Sequence, residues 1–349
     1  MDKADEYLDP MNIARAHQWK DLPAPIAATL KSANVFYTEP YFQHIRGQGK
    51  SLIYFYTDNF IVPVIVSKKL YFVYADFCTE PFALVPTNSE EHLKEYLDQV
   101  VQALRVNVGV MWIRQTPVTA LFSSYPTDSL RIPFGSYVID LSKPEEEIWD
   151  AFSTSYKKYG RQCKQAGGTV QVGGEELVAD FYQLLLASMS RAEAGIEPRD
   201  YYQKLIKELS PFAKLFVAYR DNIPEASVLI VFNNAMSYTY YGGVSSSPHR
   251  GANILLYWEA IRWMKASGVR WFSFVGCRIN VDKGSKYEGI QTFKERFGGE
   301  LKQGFMFKQV FNPAMFRLFH FLQTARMAIK GSRYPGDIID QELHKWPIQ

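Results

Sequence analysis

The chain has 349 residues, of which 47 % are hydrophobic and 21 % are charged, and its formal net charge at pH 7 is +3. This ordinary composition excludes an intrinsically disordered chain, a collagen-like repeat and a small disulfide-stapled scaffold. The length predicts about two domains of roughly 150 residues each.

The first half of the chain has the pattern of a small sheet followed by a helix. Segments rich in Tyr, Phe, Val and Ile, separated by turn residues, are typical of strands; they are Ser51–Tyr56, Ile61–Val66 and Leu70–Tyr74. Apolar residues at three-four spacing predict a helix over Ser89–Leu104, and Val108–Arg114 follows as a buried strand. Asp76 lies at a strand end, where it either contributes a carboxylate to a cleft or serves as a cap.

The middle of the chain predicts three helices, over Pro144–Gly167, Glu175–Ser190 and Tyr201–Leu209. On the first of them, Lys157, Arg161 and Lys164 share one face by three-four spacing. Such a face attracts the phosphate of a nucleotide, a lipid diphosphate or RNA. The alternative is a set of solvated cations that complement the negative end of the helix dipole.

The second half repeats the order of the first. Three predicted strands lead to a helix over Asn253–Ala266, which ends at Gly268, and Val269–Val275 is the next strand; the three strands are Lys214–Tyr219, Ser227–Phe232 and Ser237–Tyr241. Even the Asp-Asn turn recurs at the same point, as Asp221-Asn222. This order predicts a duplicated α/β (α+β) unit, with a coincidence of common turn residues as the alternative.

A glycine-containing loop leads into the helix of the second half. Because a helix N-terminus presents free N–H groups, the loop before this helix is a candidate anion site. Arg250 lies in that loop and is therefore a candidate phosphate ligand. A loop that binds acetyl-CoA needs a Gln/Arg-x-x-Gly-x-Gly/Ala pattern. This chain has Arg250-Gly251-Ala252-Asn253, with one glycine, so the pyrophosphate cradle is incomplete.

A lysine between two phenylalanines follows the last predicted strand of the second half. Gly276-Cys277-Arg278 is succeeded by a polar loop over Asn280–Gly289 and then by Phe293-Lys294-Glu295-Arg296-Phe297. Ligands of open α/β sheets bind after strand ends, and a desolvated Lys294 among aromatic rings would stabilise an oxyanion. Spacing alone favours the other interpretation, a surface lysine on a short helix.

The closing helix, Pro313–Lys330, combines large apolar residues with Arg317, Arg326 and Lys330. It either packs on its own domain or lies on an anionic membrane surface. The polar, acidic start of the chain is unlike a signal peptide, and the scattered residues Cys78, Cys163 and Cys277 suit a reducing compartment. We therefore expect a cytoplasmic monomer, peripheral at most to the inner face of the membrane, with no metal site and no cofactor.

Several segments together resemble the FemABX family of peptidoglycan-bridge aminoacyltransferases, over about Val35 to Val310. The resemblance is sharpest in Tyr241–Ala260 and Gly268–Phe274; next comes Gly289–Glu300, which is similar to the family's specific Phe-Lys-x-x-Phe-Gly signature. The N-terminal segment Phe36–Tyr41 matches weakly, because it lacks the Gln, Ser and Trp of the family pattern. The resemblance implies two tandem GNAT-like domains, each a mixed, mostly antiparallel sheet flanked by helices; we place them at residues 1–140 and 141–349.

The resemblance also implies an activity and its residues. An aminoacyl group would pass from aminoacyl-tRNA to an amine of a nucleotide- or lipid-linked peptidoglycan precursor. By the matching motif, Lys294 would be the catalytic residue that stabilises the oxyanion, Arg191 would contact precursor phosphate, and Tyr240 and Tyr241 would line the peptide channel. From the residue patterns described above, we add Arg278, Phe293 and Asp76 as candidate substrate-binding residues, and Lys157, Arg161, Lys164 and Arg250 as candidate phosphate- or RNA-binding residues.

Two other functions remain open. One is a GNAT-like N-acyltransferase that uses an acyl-CoA or acyl-carrier donor on an amino sugar or a surface-polysaccharide intermediate. The other is a non-enzymatic module that binds muropeptide or lipid-linked glycan. The incomplete glycine loop favours tRNA as the donor, whereas the net charge of +3 favours a small donor.

Overall fold

A computed structural model describes residues 13–86, 89–192, 195–329 and 336–346. The chain folds into two compact units, each made of separate segments. The first unit comprises Met1–Lys31, Ile45–Gly135 and Gln303–Gln349, and the second comprises Ser32–His44 and Ser136–Lys302. The sequence instead assigned everything after residue 140 to the second domain. The last segment joins the first unit because its strand pairs there, with Gln309 opposite Ile113 and Val310 opposite Trp112.

The secondary structure is mixed. The α-helices are α1 (Ala24–Thr29), α2 (Glu39–Gly47), α3 (Glu90–Val106), α4 (Glu145–Asp150), α5 (Thr154–Gln165), α6 (Val178–Arg191), α7 (Arg199–Glu208), α8 (Ala252–Ala266), α9 (Lys286–Glu295), α10 (Pro313–Ile329) and α11 (Ile338–Glu342). The strands are β1 (Ala14–Ala16), β2 (Ser51–Tyr56), β3 (Phe60–Lys69), β4 (Phe72–Phe77), β5 (Phe82–Ala83), β6 (Trp112–Ile113), β7 (Leu130–Asp140), β8 (Thr169–Gly173), β9 (Ala213–Arg220), β10 (Ile223–Phe232), β11 (Met236–Val244), β12 (Trp271–Arg278) and β13 (Glu300–Val310).

The first unit contains a sheet in the order β1-β2-β3-β4-β6-β13. Its neighbouring strands are antiparallel, except that β4 and β6 run parallel. Helix α3 begins at Ser89, whose side chain accepts a hydrogen bond from the backbone N–H of His92. Its apolar stripe, from Tyr96 to Leu104, packs with the valines and isoleucines of β2 and β3 to form the core of this unit.

The second unit contains a sheet in the order β12-β11-β10-β9-β8, in which β11 and β12 are the parallel pair. Ala226 and Val228 of β10 share a core with α8. Gly243 of β11 contacts α6 on the opposite face, where a Cβ atom would come within 2.4 Å of the Leu184 backbone. Helices therefore cover both faces of the sheet. The predicted fold class, mixed and mostly antiparallel sheets flanked by helices, is confirmed.

Three of the observed strands, β7, β8 and β13, lie where the sequence predicted little or no strand. Pro133 and Gly135 interrupt the strand pattern of β7, and polar residues dominate the first half of β13, so neither reads as a strand locally. Conversely, the predicted strand over Val108–Arg114 shrinks to Trp112–Ile113. Strand β4 begins at Phe72 because Leu70 adopts a left-handed conformation, with φ of 54°, and forms the turn before it.

The single helix predicted over Pro144–Gly167 is two helices, α4 and α5. The break falls at Ala151–Ser153, where the Ser153 side chain accepts a hydrogen bond from the Tyr156 N–H and so starts α5. Ala151 also lies directly against Gly298, at which a Cβ atom would come within 2.6 Å of the Ala151 carbonyl oxygen. Tertiary contact therefore decides a boundary that helical periodicity could not show.

Two expectations concern residues outside the described ranges. The acidic segment on which the absence of a signal peptide was argued lies within residues 1–12, and Lys330, the last residue of the predicted closing helix, also lies outside the described residues. Among the described helices, none is long and apolar enough to cross a membrane.

Candidate functional site

Strands β11 and β12 of the second unit separate toward their C-terminal ends. Their parallel pairing joins Met236–Tyr238 to Trp271–Ser273 and stops there, although β11 continues to Val244 and β12 to Arg278. Beyond this point, the two strands have diverged too far for ladder hydrogen bonds between them. The sheet is therefore open where the resemblance expected substrate chemistry.

Lys294 lies next to this opening, on helix α9. Its side chain is buried, with 7 % of the residue exposed. The Nζ atom donates hydrogen bonds to the carbonyl oxygens of Val275 at 2.9 Å and Gly276 at 2.7 Å. An ammonium has three N–H donors, so one donor remains for a group that enters the site. The surface-lysine interpretation of the sequence was wrong.

The backbone that receives Lys294 is strained. Val275 has φ of 53°, which is unfavourable for a β-branched residue. Its N–H donates to the Ser273 hydroxyl at 3.1 Å, and that hydroxyl lies 3.1 Å from the Ser136 hydroxyl. These contacts hold β12 in a conformation that turns two successive carbonyl groups toward one ammonium.

Burial lowers the pKa of Lys294 to about 8. Cys277, which is also buried, opposes this shift when its thiol is ionised, and burial raises the pKa of that thiol. The side chain of Lys294 is thus charged at neutral pH but close to its titration range, an arrangement common at functional sites. Burial likewise raises the pKa of Tyr137, and the Tyr137 hydroxyl is hydrogen-bonded to Gln291 of α9.

The two phenylalanines beside Lys294 have a different role from the one predicted. The sequence placed the ammonium among aromatic rings; instead it is held by carbonyl groups, and Phe297 is fully buried in the core of the second unit. The rings within 6 Å of Phe297 belong to Phe152, Tyr156, Tyr257, Phe274 and Phe293. This cluster packs α9 against β12 and so fixes the position of Lys294.

Helix α9 itself begins inside the segment predicted as a polar loop. The Ser285 side chain accepts from the Glu288 N–H at 3.2 Å, and the Glu288 carboxylate accepts from the Gly284 N–H at 2.6 Å. Ser-x-x-Glu is the signature of a capping box, so the sequence held a signal for this helix start that the prediction overlooked.

Tyr240 and Tyr241 lie together on the separated part of β11. The register between β10 and β11 shifts at Leu229/Ile230, which are opposite Tyr241 and Thr239, so Tyr240 lies in a β-bulge. The bulge brings the two rings within 4.8 Å of each other, and the Tyr241 ring also packs edge-on against Tyr202 at 5.2 Å. Burial raises the pKa of Tyr241 far above its usual range, so its hydroxyl stays protonated.

Arg191 ends helix α6 beside the end of β11. One of its terminal nitrogens donates to the Val244 carbonyl at 2.6 Å and to the Ser188 hydroxyl at 3.2 Å. The Ser188 hydroxyl in turn accepts from the Val244 N–H at 2.8 Å. The Arg191 side chain is exposed, so its remaining donors face solvent at the open end of the sheet.

Each cation of the predicted phosphate-binding face on α5 has a partner in the second unit. Lys157 lies 3.4 Å from the Asp150 carboxylate, and Lys164 lies 3.3 Å from Glu259. The Arg161 guanidinium lies 5.6 Å from the Trp149 ring. Lys164 remains well exposed despite its ion pair, and exposed pairs of this kind exchange readily for other anions.

The predicted ligands Arg250 and Arg278 each stack on a tyrosine. The Arg250 guanidinium lies 3.8 Å from the centre of the Tyr159 ring, and that of Arg278 lies 3.7 Å from the Tyr287 ring. The neighbouring Gly251 has φ of 96°, and a Cβ atom there would come within 2.3 Å of the Tyr159 carbonyl oxygen. Helix α5 therefore lies directly against the loop before α8.

Asp76 is placed in the first unit. Its two carboxylate oxygens accept hydrogen bonds from Arg114 at 2.5 and 2.8 Å, a bidentate pair. The second unit therefore holds Lys294 and the other predicted site residues, whereas Asp76 is used in an ion pair of the first unit.

This chain resembles a known domain family and several solved structures. Residues 151–295 match the family model of an acetyltransferase (GNAT) domain, which agrees with the prediction of an acyltransferase. No curated protein sequence matches the chain significantly. The crystal structure of FemX is similar over 87 % of this chain and 99 % of its own, with a TM-score of 0.65 and 14 % identity.

Two further structures share the fold at lower similarity. One is the C-terminal domain of a protein described as a lysylphosphatidylglycerol synthetase from Agrobacterium fabrum; it covers 85 % of this chain and 96 % of its own, with a TM-score of 0.51 and 12 % identity. The other is L-PGS from Bacillus licheniformis, covering 80 % and 91 %, with a TM-score of 0.50 and 14 % identity. The FemABX-like fold predicted from the sequence is confirmed.

Proposed function

We propose that this protein is an aminoacyltransferase that moves an aminoacyl group from aminoacyl-tRNA to an amine of a peptidoglycan precursor. The observation that carries the proposal is the buried Lys294 ammonium, held by two backbone carbonyls where β11 and β12 separate. The FemX-like fold and the neighbour described as a lysylphosphatidylglycerol synthetase support aminoacyl transfer. The acceptor is nucleotide- or lipid-linked, and the reaction takes place on the cytoplasmic side of the membrane.

The chemistry needs little beyond orientation and charge stabilisation. The acceptor nitrogen attacks the ester carbonyl carbon, and one electron pair of the C=O bond moves to the oxygen. The remaining N–H of Lys294 donates to this oxyanion. When the tetrahedral intermediate collapses, the C–O bond to the ribose breaks, and the ribose oxygen takes the proton that the amine loses. No covalent intermediate with the protein is required.

The other site residues bind and orient the two substrates in this proposal. The side chains of Tyr240 and Tyr241 line the path of the acceptor peptide along the part of β11 that is not paired with β12. Arg191 contacts precursor phosphate with the donors that Val244 and Ser188 leave free. Phe293 precedes Lys294 on α9, and Arg278 lies at the end of β12. In this proposal, both side chains contact the aminoacyl end of the donor.

We propose that the α5 cations hold the phosphates of the donor, and we expect the triple variant Lys157→Gln/Arg161→Gln/Lys164→Gln to weaken tRNA binding. Each lost phosphate contact should reduce the slope of log affinity against log salt by roughly 0.7–0.9. Affinity measured by fluorescence anisotropy over a salt series tests this.

The matched control removes three cations from α7, another helix of the same unit, as Arg199→Gln/Lys204→Gln/Lys207→Gln. It should leave the slope unchanged. Equal slopes for the wild type and the α5 variant would remove the three α5 cations from the proposed donor site.

An N-acyltransferase with an acyl-CoA or acyl-carrier donor and an amino-sugar acceptor is the second candidate. The match of residues 151–295 to an acetyltransferase (GNAT) domain favours it. The tight contact between Gly251 and Tyr159 opposes it, because the loop before α8 has little room to close around a pyrophosphate.

A donor screen separates the two candidates. The purified protein is incubated with a muropeptide and either a charged tRNA pool or an acyl-CoA pool, and the acceptor is analysed by mass spectrometry. We expect a mass increase of one amino-acid residue from the tRNA pool alone. Acylation from the acyl-CoA pool alone would overturn the proposed donor in favour of the second candidate.

A further inference from the structure

Helix α10 has one face packed on the first unit and one face in solvent. Phe319 packs against Phe72 and Tyr74, with ring centres 5.2 and 5.6 Å away, and Phe316 packs against Trp112 at 5.7 Å. The large residues of the opposite face are exposed at three-four spacing; they are Leu318, Phe321, Leu322 and Ile329. Phe321, in the middle of this stripe, is 69 % exposed, and contiguous exposed apolar residues of this kind mark interaction surfaces.

A second exposed apolar element adjoins the helix. The turn between β3 and β4 carries Leu70 and Tyr71, which are 79 % and 81 % exposed. The next residue, Phe72, is the one that contacts Phe319 of α10. The turn therefore adjoins the helix, and we group their exposed apolar residues as one candidate surface of the first unit. We call this surface, formed by α10 and residues 68–71, the α10 surface.

The charges on the α10 surface all have one sign. Between Pro313 and Ile329 the helix contains Arg317 and Arg326 and no acidic residue, and Lys68 and Lys69 precede Leu70 in the turn. On the helical wheel, Arg317 and Arg326 fall on the two borders of the apolar stripe. Long basic side chains around exposed apolar residues are the pattern of a helix that lies in the interface of an anionic bilayer.

We propose that the α10 surface docks the protein on a membrane that contains anionic lipids. The apolar stripe and the Leu70-Tyr71 turn enter the headgroup region, and the four cations face lipid phosphates. A symmetric contact between two copies fits less well, because it would bring the same cations together. The proposal rests on the first unit alone and is independent of the donor and acceptor chemistry of the second.

Vesicle binding tests the proposal without any substrate. The full chain is floated with vesicles of equal parts phosphatidylglycerol and phosphatidylcholine, and with vesicles of phosphatidylcholine alone. We expect binding to the anionic vesicles that declines as salt rises. Phe321→Glu and Tyr71→Glu should each weaken it roughly tenfold or more, because an anion replaces buried apolar area. Arg317→Gln/Arg326→Gln should weaken it by roughly fivefold for each removed cation.

The matched control is Ile223→Glu, at an apolar residue that is 65 % exposed at the start of β10 in the second unit; it should bind as the wild type does. Circular dichroism spectra and melting temperatures verify that each variant is folded. Absence of wild-type binding, or equal binding by Phe321→Glu, would overturn the proposal. A wild-type dimer that Phe321→Glu dissociates, without any binding to vesicles, would assign the α10 surface to self-association instead.

Discussion

Lys294→Ala is expected to lower turnover by about 10²–10³-fold, the loss that follows removal of one oxyanion donor. Fold stability should change little, because the variant relieves the desolvation of a buried ammonium while it leaves a small cavity. Steady-state kinetics of wild type and variant with charged tRNA and a muropeptide measure the effect. Equal turnover would remove Lys294 from the mechanism; unchanged ligand affinity and biological activity would favour a binding module over an enzyme.

The pH dependence of the same reaction provides a control. Since the pKa of Lys294 is lowered to about 8, the ammonium loses its proton as the pH rises through that value. Turnover should therefore fall on the alkaline limb of the pH–rate profile. In Lys294→Arg the charge persists at every accessible pH, so this alkaline limb should disappear even if the maximal rate is lower.

Stability should respond in the opposite direction over the same range. An unfolded lysine titrates near 10.4. Between about pH 8 and that value, the unfolded chain binds more protons at this residue than the folded chain does. The contribution of Lys294 to the free energy of unfolding therefore rises with pH in this window. This pH-dependent contribution to stability should be absent in Lys294→Ala.

Phe297→Ala should lower the free energy of unfolding by about 3–5 kcal/mol, the usual cost of deleting a fully buried phenylalanine. Phe297 has no exposed surface and contacts five other aromatic rings, so the cavity would have little means to collapse. Urea unfolding followed by tryptophan fluorescence measures the change, because Trp149 and Trp258 border this core.

The matched control for Phe297 is the exposed Phe321. Phe321→Ala should change the free energy of unfolding by no more than about 0.5 kcal/mol. A similarly small effect of Phe297→Ala would mean that the aromatic cluster does not fix α9 on β12, and the structural argument for the position of Lys294 would fail with it.

The sequence singled out Lys294 as a candidate, but it did not predict the contacts that Lys294 makes. Lys294 could be singled out because its motif is local and specific, and the Tyr240-Tyr241 pair is likewise contiguous. The carbonyl partners of Lys294 could not be foreseen, because they depend on the left-handed conformation of Val275, which tertiary contacts impose against its own preference. The partners of the α5 cations lie on other helices, so helical spacing identified the cations but not their ion pairs.

Secondary structure was predictable where the residues of a segment by themselves show the hydrophobic pattern of a strand or a helix. Strand β2 is a short continuous run of apolar and aromatic residues, and helix α8 repeats apolar residues at helical spacing; both lie close to their expected bounds. Strand β13 pairs with β6, although about 190 residues of the chain separate them, and no local sequence pattern predicts such a pairing. This long-range pairing also moves the last segment from the predicted second domain into the first unit.

The discontinuous arrangement of the two units has a consequence for how the chain matures on the ribosome. Every residue of the second unit has been synthesised once Lys302 is added, whereas the first unit still lacks its strand from Gln303 onward. The unit that begins first is thus completed last. The unit that holds Lys294 can therefore begin to fold while the β6 edge of the first unit's sheet is still unpaired.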